Sequence, residues 1–388
     1  MAYNRKQRLN DNIKAIETAF ILDREQRTPT ARERLLLERY CGFGGLKCIL
    51  NPARELADAV HWAKSDLELF APTVELHRLI RENSKNESEY KQLMDSLKQS
   101  VLTAFYTPSA VTEALTDVLK EHQIIPEKVL EPSAGIGAFV DSVLDNNPKA
   151  DIMAFEKDLL TGKILRHLHP EQKVRIEGFE KIEKPFNDYF DLAISNIPFG
   201  DVAVFDPSYT AMKGMRALVT RRIHNYFFVK ALDTVRDGGL VAFITSQGVL
   251  NAKNNSAARF MMLYHADLVS AIRLPNNLFT ENANTEVGSD LIILQKNSQK
   301  ESLRGDDNLL DTVYNDENRI PTNNYFLEHP ERIIHTTAKL DTDPFGKPAM
   351  IYTHEDGVEG IAEDLRKMLH EDFKKNLNLN RYLGIEET

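Results

Sequence analysis

The sequence predicts an α/β fold of the Rossmann-like, nucleotide-binding kind, and three observations carry that expectation. The first is a strand, a glycine loop and a helix in succession. Val129-Leu130 is a short apolar run, Glu131 to Gly137 is a turn of small residues holding Gly135 and Gly137, and Phe139, Val140, Val143 and Leu144 recur at helical spacing. Glycines there let a ligand approach the backbone and permit angles that a side chain forbids. The second is Glu156, which ends another apolar run, Ile152 to Phe155, and lies 19 residues after Gly137. That is close to the spacing at which a strand-end acid meets ribose hydroxyls. The third is Leu240 to Thr245, an unbroken apolar run of the kind found in strands buried on both faces.

The bulk properties bound the rest. The chain has 388 residues, enough for two or three domains. It holds no run approaching a membrane span and its N-terminus is polar, so no membrane partner is expected. Cys41 and Cys48 are too few for a disulfide scaffold and lack the partners of a zinc site, so a reduced, cytoplasmic setting and no metal are expected. The net charge of -10 argues against attraction of nucleic acid to the whole surface. It leaves room for a local basic face. No acid occurs from Pro207 to Leu232, whereas Lys213, Arg216, Arg221, Arg222 and Lys230 are all basic. Two readings of that stretch stand: a phosphate-contacting segment or a solvated helix face.

Three regions are expected. Residues 1–100 read as mostly helical, with Ile13, Ile16, Ala19 and Phe20 on one face, a helix ending at Leu35 to Leu37, and a charged helix from about Val74 to Lys98. Between them Tyr40 to Leu46 carries three glycines and reads as an anion-binding nest or, preferably, a structural turn that packs Phe43. Residues 101–297 form the α/β domain. Thr107 is placed to cap a helix that starts at Pro108. Lys157 to Leu168 is a helix, Val174 to Glu177 a third strand, Arg236 to Gly239 a turn, and Leu268 to Leu274 and Asp290 to Leu294 the last two strands. The polar connection Pro275 to Gly288 is long enough to fold over a substrate. Residues 298–388 read as an irregular extension that ends in an amphipathic helix over Val358 to Phe373.

The glycine loop has one glycine too few for a dinucleotide fingerprint, and Glu131 inside it would repel a pyrophosphate. A ligand with a cationic or zwitterionic part suits it better. The apolar strand Asp191 to Ser195 then runs into Asn196-Ile197-Pro198-Phe199, a polar amide, a proline and an aromatic ring.

These motifs together resemble the S-adenosylmethionine-dependent DNA adenine-N6 methyltransferases. Asn196-Ile197-Pro198-Phe199 is similar to that family's Asn-Pro-Pro-aromatic tetrapeptide with the first proline replaced, and Phe105-Tyr106-Thr107-Pro108 resembles its N-terminal cofactor motif. More narrowly, Tyr40 to Leu46, Asn196 to Gly200, His224 to Leu232 and Ile272 to Pro275 resemble the methylase modules of large bacterial mobile-element proteins, some fused to helicases. The resemblance covers about residues 30–335. It implies a class I methyltransferase fold, a mixed seven-stranded sheet whose last strand is antiparallel.

The resemblance also implies roles. S-adenosylmethionine would be held by Tyr106, Thr107, Pro108, Glu131, Ser133, Gly135, Gly137, Glu156, Lys157 and Phe179, with Glu131 at the methionine amino group, Glu156 on the ribose and Phe179 stacked on the adenine. The family has an acid where this chain has Gly178, so the bond from that acid to the cofactor adenine is either missing here or made by Glu177 or Glu180. Asn196 and the backbone carbonyl of Ile197 would pull on the amino hydrogens of an adenine flipped from duplex DNA, Pro198 would fix the turn and Phe199 would stack on the base. Lys213, Arg216, Arg221 and Arg222 would contact the nucleic acid. The tail is short for a target-recognition domain, which leaves three readings open: a partner protein, a fused helicase or recognition region, or a lenient sequence preference. RNA adenines and protein glutamine amides remain alternative acceptors, and a degenerate module that only binds DNA or a partner remains a non-enzymatic alternative.

Overall fold

The computed structural model describes residues 4–103, 106–280, 287–303, 307–314, 319–343 and 346–385. Among them, seven strands form one sheet: β1 (Lys128–Glu131), β2 (Asp151–Phe155), β3 (Lys173–Arg175), β4 (Phe190–Asn196), β5 (Val235–Ser246), β6 (Ala266–Leu274) and β7 (Ser289–Lys296), in the order β3-β2-β1-β4-β5-β7-β6. β1 to β5 run parallel, and β7 lies antiparallel between β5 and β6. This is the expected class I methyltransferase topology with its reversed last strand. The order turns back between β1 and β4, and a crevice for ligands opens at such a switch point, beyond the carboxyl ends of the strands.

The apolar runs explain the sheet. Leu192, Ile194, Leu240, Ala242 and Ile244 face one layer of core, while Ala193, Val241 and Phe243 face the other. One layer is covered by α5 (Ser109–Glu121), α6 (Ala138–Asn146) and the late helix Gly357–Asn376, which inserts Ile361, Leu365, Leu369 and Phe373. The other is covered by α10 (Ile223–Thr234) and the helix Ser256–His265. Two short antiparallel hairpins, Thr312–Tyr314 with Pro321–Asn323 and Thr337–Thr342 with Pro348–Thr353, replace much of the irregular path expected after residue 298.

The N-terminal helices α1 (Arg5–Glu25), α2 (Ala31–Leu37), α3 (Phe70–Glu82) and α4 (Glu87–Thr103) have their own core. They share it with α7 (Leu159–Leu168), which sends Leu165 toward the sheet and Leu160, Ile164 and Leu168 toward the helices. Asp23 of α1 binds Lys163 (2.5 Å) and His167 (2.8 Å) on α7. Tyr40 to Leu46 is a structural turn: Phe43 is fully buried, Asn12 bonds both Cys41 N and Gly42 O, and Ser100 Oγ accepts from Phe43 N at 3.1 Å.

Three expectations need correction. The single helix from Val74 is two, because Asn83 and Ser84 turn their side chains back onto the carbonyls of Leu79 and Ile80 and end α3. Arg236 to Gly239 is a bulge inside β5, with Gly238 at φ +74° where a Cβ would collide with the Arg381 carbonyl. Helix α7 begins at Leu159, with Asp158 as its cap.

Candidate active site

β1 ends at Glu131, and the glycine loop turns back across the sheet. Gly135 and Gly137 have φ of +56° and +90°, the left-handed region that glycine alone enters freely. Ala134 N donates to Phe155 O (2.8 Å), which pins the loop to the end of β2. Tyr106 packs on the loop so closely that a Cβ at Gly135 would lie 2.9 Å from its ring. Glu156 accepts from Gly135 N (2.8 Å) through one carboxylate oxygen and from Asp158 N (2.7 Å) through the other, so it braces the loop from the turn between β2 and α7. Burial, then the charge of Asp158, pushes its pKa up to about 7. Ser133 is partly exposed in the loop, and its carbonyl accepts from Ser195 Oγ (3.3 Å) on β4.

Glu131 is the unusual group. It is 1% exposed, and neither carboxylate oxygen has a hydrogen-bond partner among the described residues. Burial pushes its pKa well above the usual range, an effect that the nearby Ser195 hydroxyl offsets in part and the Glu156 charge reinforces. A buried carboxyl without a partner is costly, and a cation beside it removes the cost. Thr107 supplies the complementary group. It does not cap α5, whose N-cap position is Pro108, and its buried hydroxyl has no partner among the described residues. A hydroxyl donor and a carboxylate acceptor, both adjoining the loop region, suit the two ends of an amino-acid zwitterion. The residues therefore fit the methionine part of S-adenosylmethionine.

Asn196 is the last residue of β4, paired in register with Ile244, and is partly exposed. Ile197 takes the place of the family's first proline. Its N–H donates to Ile244 O at 3.0 Å, a bond that proline cannot make, and its side chain is buried. The rigidity that proline would have given is thus replaced by one more rung of the β4–β5 ladder. Pro198 and Phe199 are partly exposed, and the Phe199 ring meets Phe279 edge-on at 6.4 Å.

Several expected site residues lie elsewhere. Phe179 is 1% exposed and packs among Phe155, Tyr226 and Phe227, so it is a core residue with no open face for stacking. Lys157 projects outward, with Glu180 3.9 Å away. Glu177 is taken by Arg175 at 2.6 Å. Glu180 folds back so that its carboxylate occupies the space that a side chain at Gly178 would fill. Of the two acids named as stand-ins, Glu180 is thus the one whose carboxylate lies beside Gly178.

The basic stretch divides in the same way. Arg216 is held by both oxygens of Asp233 (2.6 and 3.0 Å), and Lys230 is buried against Asp206 at 3.2 Å. Arg222 is held by Asn254 and Asn255, with Asp201 at 3.4 Å. Lys213 and Arg221 are exposed and carry no ion pair among the described residues. Phe105 and part of the connection Pro275 to Gly288, residues 281–286, lie outside the described residues.

The family model "N-6 DNA Methylase" matches residues 88–387. The defense against restriction protein B of Escherichia phage P1 is 29% identical over 201 residues, which cover 50% of this chain and 8% of that protein. The type II methyltransferase M.XamI of Xanthomonas campestris pv. amaranthicola is 25% identical over 173 residues, 41% of this chain and 33% of the relative. The chain thus spans a third or less of either relative. A candidate class I S-adenosylmethionine-dependent methyltransferase from Listeria monocytogenes superimposes with a TM-score of 0.45 at 15% identity, covering 77% of this chain and 91% of that one.

Proposed function

The chain belongs to the N-6 DNA methylase family, and from that premise we propose that it moves a methyl group from S-adenosylmethionine to N6 of an adenine flipped out of duplex DNA. The observation that carries this reading is the buried Glu131 carboxyl, without a hydrogen-bond partner among the described residues, two residues before Ser133, whose carbonyl holds Ser195 on the strand that ends at Asn196. Glu131 ends β1 and Asn196 ends the neighbouring strand β4, the two strands between which the sheet order turns back.

S-adenosylmethionine supplies an electrophilic methyl group on a sulfonium. The protein's task is alignment and exclusion of water. Glu131 receives the ammonium, the Thr107 hydroxyl donates to the carboxylate, and Glu156, braced by the loop, offers its remaining lone pairs to the ribose. Glu180 stands where the family's adenine-binding acid would project. On the acceptor side, the adenine amino lone pair is delocalised into the ring. Asn196 Oδ1 and the Ile197 carbonyl each accept one amino hydrogen and favour a tetrahedral nitrogen. Phe199 stacks on the base, and Pro198 fixes the turn between them. The Ile197–Ile244 bond keeps this turn ordered without the missing proline, which weighs against a module that only binds.

DNA is the proposed partner, engaged by Lys213 and Arg221, with Arg222 beside them. A fused or separate recognition region supplies sequence choice, and the setting is cytoplasmic. Among the described residues no helix is long and apolar enough to cross a membrane. The acceptor class is tested by offering duplex DNA, total RNA and a release factor in parallel with methyl-labelled cofactor. Label in DNA alone is expected; label in RNA or in a glutamine amide instead would overturn the DNA assignment.

The divided basic stretch gives a further expectation. Lys213→Ala and Arg221→Ala should each lower the slope of log affinity against log salt by about 1. Arg216→Ala should leave that slope unchanged and cost roughly 1–3 kcal/mol of stability by removing its charged hydrogen bonds to Asp233. Salt titrations of duplex binding and thermal melts of the three variants check both halves.

A further inference from the structure

The segment that leaves the tetrapeptide displays apolar side chains where a solvated loop would display polar ones. Val202, Phe205, Met212, Met215 and Leu218 are all exposed, and Phe205 is 80% exposed. The ring makes no aromatic contact among the described residues. It is nevertheless held in place from both sides. Val204 N donates to Thr220 O at 2.8 Å. Asp206 is buried and accepts from Ser208 N (2.9 Å), Tyr226 OH (2.7 Å) and Lys230 Nζ (3.2 Å). Phe205 is thus an aromatic ring projected into solvent from an anchored stretch of backbone, six residues after Phe199.

The charges around it say what covers it. Lys213 and Arg221, on the same segment, are exposed cations without ion pairs among the described residues. The nearby acid Asp201 is partnered by Arg222 at 3.4 Å. An apolar ring on a segment that also bears two exposed cations, in a chain of net charge -10, matches stacked bases flanked by phosphates. Apolar side chains that enter a duplex separate adjacent bases and fill the gap left by an unstacked one.

We propose that Phe205 is a wedge that stacks in duplex DNA beside the departing base, with Lys213 and Arg221 on the adjoining phosphates. This rests on the DNA reading above. It adds a positioning residue outside the tetrapeptide, one that acts on the opening of the duplex and leaves methyl transfer itself untouched.

The test uses Phe205→Trp. The protein has one tryptophan, Trp62, buried in the N-terminal core, so the added indole reports on position 205. Dye-labelled, mixed-sequence duplex DNA is titrated in, with anisotropy reporting binding and indole emission reporting stacking. The added emission should be quenched as DNA saturates, and Phe205→Ala should bind duplex about tenfold more weakly with an unchanged melting temperature. Saturation by anisotropy with unchanged emission would overturn the wedge and leave the patch to a protein partner. Absence of duplex binding by the unmodified chain would instead sink the DNA reading, and the wedge with it.

Discussion

Asn196→Ala is expected to abolish methyl transfer while leaving cofactor affinity within about twofold of the unmodified protein, because removing an interaction made in the transition state lowers turnover and spares ground-state binding. Asn196 closes β4, with Ile244 opposite and the Ile197–Ile244 bond just beyond it, so truncating the side chain leaves the ladder in place. What disappears is the acceptor that pulls on one amino hydrogen, and with it the geometry that frees the lone pair. Removal of one preorganised polar group of this kind costs at least about 10²–10³ in turnover, which takes methyl transfer below detection. Single-turnover kinetics with cofactor and duplex DNA, beside calorimetric cofactor binding, separates the two quantities. Retained turnover would remove Asn196 from the chemistry.

Glu131→Gln should weaken S-adenosylmethionine binding about 100-fold or more, equivalent to about 2.7 kcal/mol. The amide preserves shape but offers no charge to the ammonium. The same substitution carries a pH signature. The folded-state pKa of Glu131 is raised well above its unfolded value by burial, so the folded protein holds this proton more tightly than the unfolded chain. Its contribution to stability is fully present below about pH 4.5 and is lost as pH rises through the folded value. Glu156, raised to about 7, has the same sign. Asp141, raised to about 6, acts the same way, while the buried His169 and His224, lowered to about 4, oppose it over the same range. The share of Glu131 is therefore read as a difference: in thermal melts without cofactor, the stability of Glu131→Gln relative to the unmodified protein should rise as pH rises from about 4.5. Calorimetric cofactor binding to the unmodified and Glu131→Gln proteins checks the first expectation, and equal affinities would contradict an ammonium at Glu131.

Local sequence carried the sheet and the loop because both are local problems. Continuous apolar runs name strands buried on two faces, and Gly135 and Gly137 sit where the chain needs positive φ. The reversed last strand was legible through the family resemblance. What local sequence could not separate was identical residues with different partners. Arg216 and Arg221 lie five residues apart in one acid-free run, yet Asp233, beyond the end of that run, claims the first and leaves the second exposed. Phe179 followed a motif position into a core that only packing defines. Glu180 folds its carboxylate back over Gly178, which a register of letters does not reveal. In sequence Ile197 is only a replaced proline, because its N–H gains meaning only once Ile244 lies opposite. The late helix looked like an appendage, because its cover over β6 joins residues about a hundred positions apart, as in the 2.6 Å bond from Ser270 to Asp372.

The most direct measurement is the identity of the methylated nucleoside. Duplex DNA treated with the protein and S-adenosylmethionine carrying a deuterated methyl group is digested to nucleosides and analysed by mass spectrometry. The account predicts deuterated N6-methyladenine from the unmodified protein and none from Asn196→Ala. Deuterium on cytosine, or on no nucleoside while the protein binds both cofactor and duplex, would contradict it.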